Sequence, residues 1–294
     1  MVENKHVIAF VNDMVPFTSQ AQLTYLHQHN VPIVGGDLVT PIWFQDSLAF
    51  PQGTTMSESL FADFHEAHQR NLTKLGVVTC VESSACTYGR DYTVNGGASR
   101  AGETLVYQSD VSLTQPDFTA QCLGARSADA QVLLLGLDTN SISRFAASCS
   151  RQNYHPLYVA TAVQASLGLE GNPDLEGFLT ASPVFPFMRG DTPASAEFHQ
   201  AIQQYAPSLR PSGATAFGWA AGQVLAKAAA GVGAQPTSQD ILNGLWSLRN
   251  ETANGLTPPL TYAKNQPSPP VHCYFLIEIK SGKWTSPSST HTCP

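Results

Sequence analysis

The sequence predicts an α/β protein in which parallel sheets form two Rossmann-like lobes. Short apolar runs typical of buried strands alternate along the chain with segments of helical periodicity. The chain opens on such a run, a helix and a second run, which is the repeating unit of a parallel sheet. Proline-rich or polar segments at 51–53, 183–186 and 264–270 are candidates for crossings, so the two halves are expected to be linked by several chain segments rather than by one linker.

The opening segment predicts a sheet that starts on an interior strand. Residues 5–13 suit a strand buried on both faces, because His6 to Val11 are mostly apolar. Residues 17–27 then have helical spacing, and residues 31–36 predict a second buried strand. Because a parallel α/β domain seldom begins with so little before an interior strand, we expect the first lobe to be truncated at its N-terminus.

The same alternation predicts the remaining elements in order. Helices are predicted at residues 57–71, 88–101, 117–128, 139–152, 194–205, 214–231 and 238–249. Strands are predicted at residues 75–81, 104–107, 131–137, 156–160, 176–182, 260–262 and 272–279. We therefore assign residues 1–51 and 186–262 to an incomplete lobe I, and residues 52–185 and 265–294 to lobe II.

Composition and motifs exclude several classes of function. The formal net charge is −7 and no basic stripe is present, which argues against a nucleic-acid-binding surface. No apolar run approaches the ~18 residues of a membrane span, and the first residues lack the regions of a signal peptide. The nucleophile elbow, the phosphate-binding loop, the zinc-protease motif and the dinucleotide fingerprint are all missing from the sequence.

The six cysteines indicate an oxidising compartment, because their number is even and they fall into local pairs. Proximity alone suggests disulfides between Cys80 and Cys86, between Cys122 and Cys149, and between Cys273 and Cys293. The alternative is a set of six buried free thiols in a cytosolic protein. We expect no metal site, because Cys-x2-Cys is absent and His65-x2-His68 has no cysteine nearby.

Several segments are informative through their order and spacing. They are KHVIAF, VPIVGG, CTYGRD, PDFTAQCLGARSADAQVLLLG, YHPLYVA, EGFLTASPVFPF, ATAFGWAAGQVLAKAA, GLTPPLTY and CYFLIEIKSGKW. In this order they resemble the type I periplasmic binding proteins, specifically the branched-chain amino-acid and amide receptors of ABC importers. The resemblance implies an exported, often lipid-anchored receptor without a cofactor. Such a receptor closes two lobes around a small molecule by hinge motion and delivers it to a membrane permease.

The resemblance also has consequences for the start of the chain. Members of that family begin with two further βα units, so roughly 60 residues of lobe I are expected to be absent, together with any signal segment. The exposed edge of the lobe I sheet would then be a possible dimer contact.

In open parallel sheets, ligands bind beyond the carboxyl ends of the strands. The resemblance implies that the loops after the first two strands hold a ligand carboxylate in lobe I. The candidate residues are Phe17, Thr18, Ser19, Asp37 and Thr40. Thr18 and Ser19 have an alternative role as simple caps of the following helix.

Lobe II is expected to contribute Tyr88, Asp138, Thr161 and Ala162. Tyr88 matches the family's Tyr-Gly step, where the ring faces the ligand, although it could instead pack on the sheet rim. Amino-acid receptors of the family carry an acidic residue near Ala162, but residues 161–168 contain no carboxylate. This absence argues against an ordinary α-amino acid. The aromatic residues Phe17, Tyr88 and Phe187 favour an apolar or aromatic ligand, such as a carboxylate, with an amino-acid-like molecule as the alternative. Asp138 could replace the acidic residue, or it could be a solvated loop residue.

Two other classes of function remain open on the sequence. A receptor module of the same fold could sense a ligand within a signalling protein. An α/β enzyme of an unrecognised type is the second alternative, although no sequence motif supports it.

Overall fold

The computed structural model of the chain describes residues 1–15 and 18–293, without the side chains of Ser19 and Gln20. It divides into two compact units. Unit 1 contains Met1–Thr55, Pro183–Phe275 and Ser288–Pro294, and unit 2 contains Met56–Ser182 and Leu276–Pro287. Parallel strands dominate both units, which confirms the predicted α/β fold class.

The strands and helices follow one another through both units. The strands are β1 Phe10–Asp13, β2 Ile33–Gly36, β3 Ala49–Phe50, β4 Lys74–Cys80, β5 Thr104–Val111, β6 Val132–Gly136, β7 Leu157–Val159, β8 Leu179–Ser182, β9 Phe275–Lys280 and β10 Lys283–Thr285. The helices are α1 Val2–Lys5, α2 Ser19–His29, α3 Ile42–Gln45, α4 Met56–Gln69, α5 Ser84–Tyr92, α6 Ala98–Arg100, α7 Thr119–Ser127, α8 Thr139–Ser150, α9 Pro193–Tyr205, α10 Gly213–Ala228 and α11 Ser238–Ser247. No helix of the described ranges is both long and apolar enough to cross a bilayer.

Unit 1 is built on the parallel sheet β1-β2-β3. Its core joins the apolar face of α2 to β2 and to the indole of Trp43 on α3. The opening strand differs from the prediction: it covers only Phe10–Asp13, and Val2–Lys5 form a helix. It is also not buried on both faces, because Val11 is 39% exposed, and among the described strands β1 lies at the edge of its sheet, paired only with β2.

Unit 2 contains a larger sheet with the strand order β10-β9-β8-β7-β6-β4-β5. The strands β4 to β8 run parallel, whereas β10 is antiparallel to β9. The apolar run from Val132 to Leu135 is almost fully buried, as expected for a central strand of a parallel sheet.

The helix predicted at 88–101 begins earlier and is interrupted. It starts at Ser84, because the hydroxyl of Ser83 accepts a hydrogen bond from the backbone amide of Ala85. After Tyr92 the chain widens into a π-helical turn, Thr93–Gly97, in which Gly96 adopts a φ of 121°. That conformation favours glycine, and it separates α5 from α6.

Three further predictions about strands were wrong or incomplete. Residues 260–262 form no strand, because only Leu260 pairs, in an isolated bridge with Glu251. The strand predicted at 104–107 continues to Val111 along β4. The short strands β3 and β10 were not predicted, since two or three residues are too few to show a period.

The three disulfides of the structure are the pairs suggested by proximity in the sequence. They join Cys80 to Cys86, Cys122 to Cys149, and Cys273 to Cys293. The Cys273–Cys293 disulfide joins residues 265–275 to residues 288–294, and both segments belong to unit 1. The division made from the sequence placed all of residues 265–294 in lobe II instead. The disulfide and the backbone bridge between Tyr274 and Thr292 hold these two segments together.

Unit 2 buries a carboxylate that has no hydrogen-bond partner within the described residues. The side chain of Glu103 is 0% exposed, and both of its oxygens lack a partner. The nearest basic group is His68 of α4, whose Nδ1 lies 3.5 Å from Oε1. Burial raises the pKa of Glu103 to about 7.

The raised pKa of Glu103 predicts that the protein loses stability as the pH rises, and that Glu103→Gln removes this loss. The native carboxyl binds its proton more tightly than the unfolded one, so the free energy of unfolding falls as pH rises from about 4.5 to about 7. We expect the variant to gain roughly 1–3 kcal/mol relative to the parent protein between pH 4 and pH 8. Urea unfolding at several pH values measures this difference. Glu197→Gln, at an exposed position, is the matched control, and parallel pH profiles for parent and Glu103→Gln would contradict the prediction.

Candidate functional site

The carboxyl ends of the strands in unit 1 are packed tightly around one glycine. The side-chain amide of Gln52 donates to the Gly36 carbonyl oxygen at 2.9 Å and accepts from the Gly36 amide at 3.0 Å. A Cβ atom on Gly36 would overlap the carbonyl oxygen of Asp13 and the ring of Trp43. The ends of β1 and β2 and the residues after β3 therefore form one buried cluster.

Asp37 follows β2 directly, and its carboxylate is already engaged. Its Oδ1 accepts hydrogen bonds from Trp43 Nε1 at 2.9 Å and from the backbone amide of Val39 at 3.1 Å. The residue is 4% exposed, and this burial raises the pKa of the carboxyl. The geometry gives Asp37 the role of holding α3 against the end of β2.

The other candidates in unit 1 lie in different surroundings. Thr40 is 2% exposed, and its hydroxyl has no hydrogen-bond partner within the described part of the chain. Thr18 is exposed at the start of α2 and makes no capping bond with its side chain. Phe17 lies outside the described residues, and the side chain of Ser19 is not described.

A second acidic group of unit 1, at the end of β1, was not selected from the sequence. Asp13 accepts a hydrogen bond from Gln22 Nε2 at 2.6 Å, and burial raises its pKa. Gln52 was also missed, since its segment was interpreted only as a crossing between lobes. A polar residue two positions after the short apolar run 48–50 was the available signal.

In unit 2, Tyr88 lies on α5 beside a cavity of about 480 Å³. The cavity is lined by Tyr88, Asp91, Tyr92, Asn95, Gly96, Gly97 and Arg100. The Tyr88 side chain also hydrogen bonds to Ser57, and burial raises the pKa of its hydroxyl. The sequence selected Tyr88 but none of the other lining residues, because the π-helical turn that brings them together has no periodic signature.

Asp138 caps the helix that follows β6. Its carboxylate accepts from the amide of Ser141 at 2.9 Å and from the Ser141 hydroxyl at 3.1 Å, while the residue itself is exposed. This is the N-cap arrangement of an α-helix. Asp138 is therefore a helix cap whose carboxylate is hydrogen bonded, rather than a purely solvated loop residue.

Thr161 and Ala162 lie in the turn after β7, and both are buried. The Thr161 hydroxyl is hydrogen bonded to Gln164 Oε1, within the 3₁₀ turn Ala162–Gln164. Thr139 Oγ1 donates to the Gln164 carbonyl oxygen at 3.5 Å, which joins this turn to the start of α8. The structure thus brings together the loops after β6 and β7, and no carboxylate lies in 161–168.

The chain is similar to known proteins both in its sequence family and in its fold. A family model described as periplasmic binding protein matches residues 1–283. A search of curated proteins found no match.

Solved structures share the fold at low sequence identity. A leucine binding protein from Thermotoga maritima is 16% identical, with a TM-score of 0.78 over 100% of this chain and 82% of that one. A branched chain amino acid ABC transporter protein from Thermus thermophilus with bound valine is 14% identical, with a TM-score of 0.77 over 100% and 80% of the two chains. A solute binding protein from R. palustris in complex with benzoate is 13% identical, with a TM-score of 0.75 over 100% and 81%.

The capping geometry predicts different effects for two substitutions of Asp138. Asp138→Ala should lower the free energy of unfolding by about 1 kcal/mol, because the Ser141 amide loses its acceptor. Asp138→Asn keeps an acceptor and should cost at most about 0.5 kcal/mol, from the lost charge at the helix N-terminus. Urea unfolding compares the two, with the exposed Asn140→Ala as control. Equal losses in both variants would show that the charge, rather than the cap, is what stabilises α8.

The Thr40 hydroxyl gives a second stability prediction. Replacing a buried hydroxyl that lacks a partner by a methyl group removes a desolvation cost of about 1–3 kcal/mol. We expect Thr40→Val to be as stable as the parent protein or more stable, and Thr40→Ala to be less stable because it leaves a cavity. Thermal unfolding of the three proteins measures the order, and a clear loss of stability in Thr40→Val would contradict the prediction.

Proposed function

The chain belongs to the periplasmic binding protein family, and from that premise we propose that it is the solute-binding component of an ABC importer. The observation that carries this proposal is the family match over residues 1–283 of 294. The family implies an extracytoplasmic location, where disulfides are stable, and the chain has three of them. The partners are then a small ligand and a membrane permease, and the protein itself performs no catalysis.

We propose that the ligand is an apolar or aromatic carboxylate rather than an α-amino acid. An ammonium group removed from water requires a carboxylate partner, and residues 161–168 contain none. The aspartates at the strand ends have internal partners: Asp13 binds Gln22, Asp37 binds Trp43, and Asp138 binds Ser141. The benzoate bound to the R. palustris protein is an example of the proposed class.

The proposed contacts come from the strand-end loops of each unit. In unit 1 they are Thr18, at the start of α2, and Thr40; Phe17 and Ser19 stay predictions from the sequence. In unit 2 they are the Tyr88 ring and the turn that contains Thr161 and Ala162. The hinge closure expected from the family resemblance stays a prediction.

We propose self-association as a weaker partner interaction of unit 1. Support comes from β1, which pairs only with β2 among the described strands and carries the exposed Val11. Exposed strand edges readily pair with another chain. Sedimentation velocity over a range of concentrations distinguishes a dimer from a monomer.

The proposed ligand class predicts the outcome of a thermal-shift screen. Benzoate and substituted benzoates should raise the melting temperature, whereas leucine, valine and benzylamine should not. A ligand at about 100 times its dissociation constant adds about 2.7 kcal/mol to the free energy of unfolding. Benzamide is the control for the carboxylate charge. A shift with leucine or valine would contradict the proposed ligand class, and a shift with none of these probes would count against the proposed function.

A matched pair of tyrosine variants tests whether any shift arises at the proposed site. Tyr88→Ala should weaken binding by about tenfold or more, since a buried aromatic contact contributes at least about 1.4 kcal/mol. Tyr205→Ala is the control, because Tyr205 is 78% exposed on α9 of unit 1. Equal affinities in the two variants would place the binding elsewhere in the protein.

A further inference from the structure

One cluster of soft metal ligands lies outside the strand-end loops. Cys273, His291 and Cys293 of unit 1 have their sulfur and imidazole nitrogen atoms within 4.8 Å of one another. Among the described residues, no other three His, Cys, Asp or Glu side chains come this close together. The two cysteines form a disulfide, so neither sulfur is a thiolate in this state. Reduction is required before the cluster can bind a metal through sulfur.

The backbone holds these side chains together independently of the disulfide. The Tyr274 amide donates to the Thr292 carbonyl oxygen at 2.9 Å, and the Thr292 amide donates to the Tyr274 carbonyl oxygen at 2.7 Å. In an antiparallel bridge, the residues on either side of the bonded pair face the same side. The two cysteines are therefore opposite each other on one face, with Cα atoms 4.1 Å apart.

The imidazole lies on the same face as the two sulfurs. His291 is two residues before Cys293, and its ring contacts Phe275 edge-on at a centroid distance of 5.8 Å. Phe275 in turn is fully buried at the start of β9. The packing of the ring against this fixed aromatic side chain orients His291 toward the sulfurs.

We propose that reduction of Cys273–Cys293 converts this cluster into a binding site for one Zn²⁺ ion. Tetrahedral zinc needs ligand atoms roughly 3.5–3.8 Å apart, given Zn–S and Zn–N bonds of about 2.3 Å and 2.0–2.1 Å. The ligand atoms already lie within 4.8 Å of one another, and cleavage of the S–S bond lets the two sulfurs separate to this spacing. Two thiolates and one imidazole leave the fourth position for water, and the ion then replaces the disulfide as the link between the two segments.

The reaction balances with a dithiol as reductant. The dithiol is oxidised to its own disulfide, and its two electrons and two protons convert Cys273–Cys293 into two thiols. Binding of Zn²⁺ then releases both thiol protons to solvent and uses the neutral imidazole of His291.

Exposure makes this disulfide the most accessible of the three. Cys293 is exposed and Cys273 is half-buried, whereas Cys122 and Cys149 are 0% exposed. Cys80 and Cys86 are also buried, at 4% and 9%. A mild dithiol treatment should therefore produce two reactive thiols in a folded chain, because exchange requires access to a sulfur atom.

Co²⁺ is a suitable probe, because its thiolate complexes absorb in the near ultraviolet and its tetrahedral complexes absorb in the visible range. The mildly reduced full-length protein should bind one Co²⁺ per chain with both signals, and Zn²⁺ should displace it. The oxidised protein should give neither signal. Circular dichroism and a count of two alkylated thiols establish that the reduced chain is folded and reduced at one disulfide.

Variants separate this site from other sources of metal binding. His291→Ala should weaken Co²⁺ binding at least about tenfold, since even indirect partners of metal ligands contribute that much. His272→Ala is the matched control next to Cys273, and the double variant Cys80→Ala/Cys86→Ala should still bind. Cys273→His offers a ligand without a disulfide, so it should bind Co²⁺ without reductant even if the reduced parent unfolds. Unchanged affinity in His291→Ala, or no thiolate–cobalt signal in either reduced parent or Cys273→His, would overturn the proposal.

Discussion

The pair formed by Gln52 and Gly36 determines the arrangement of the strand ends in unit 1. Gln52 is fully buried, and its amide group satisfies both backbone groups of Gly36. Losing it would leave those backbone groups buried without partners, at about 1–3 kcal/mol for each. Because Gly36 has no side chain, Asp13 and Trp43 can approach it closely. Asp37, the next residue, is thereby directed to Trp43 rather than to solvent.

Unit 2 positions its strand-end loops with local interactions instead. The Cys80–Cys86 disulfide joins the end of β4 to the first turn of α5, and Ser83, three residues before Cys86, caps the start of that helix. Asp138 fixes the start of α8 through a residue three positions along the chain. Most of these contacts link residues that are close in sequence, and one contact, from Thr139 to Gln164, joins the loops after β6 and β7. In unit 1, by contrast, Gln52 acts across 16 positions.

This difference explains which features could be predicted from the sequence. The fold class, most helices and the three disulfides depend on periodicity or on residues near each other in the chain. The role of Gln52 depends on a backbone group that no residue type marks in the sequence, and the position of β1 at the edge of its sheet depends on how many strands pair with it, so neither has a local signature. The start of α5 was missed because Ser84 to Thr87 carry no apolar period. At the site, the sequence placed Asp37, Asp138 and Thr161 directly after predicted strands, but it gave no indication of their hydrogen-bond partners.

The state of the acidic groups limits the ligands that the strand-end loops can accept. Burial raises the pKa of Asp13 and Asp37, so additional negative charge is already unfavourable near them unless hydrogen-bond donors face it. A cationic ligand would have to displace an internal donor such as Gln22 or Trp43, and hydrogen bonds to charged groups contribute about 1.5–3 kcal/mol each. A carboxylate ligand avoids that displacement and needs only donors, such as the unpartnered hydroxyl of Thr40. The proposed carboxylate ligand would therefore approach these donors rather than the aspartates.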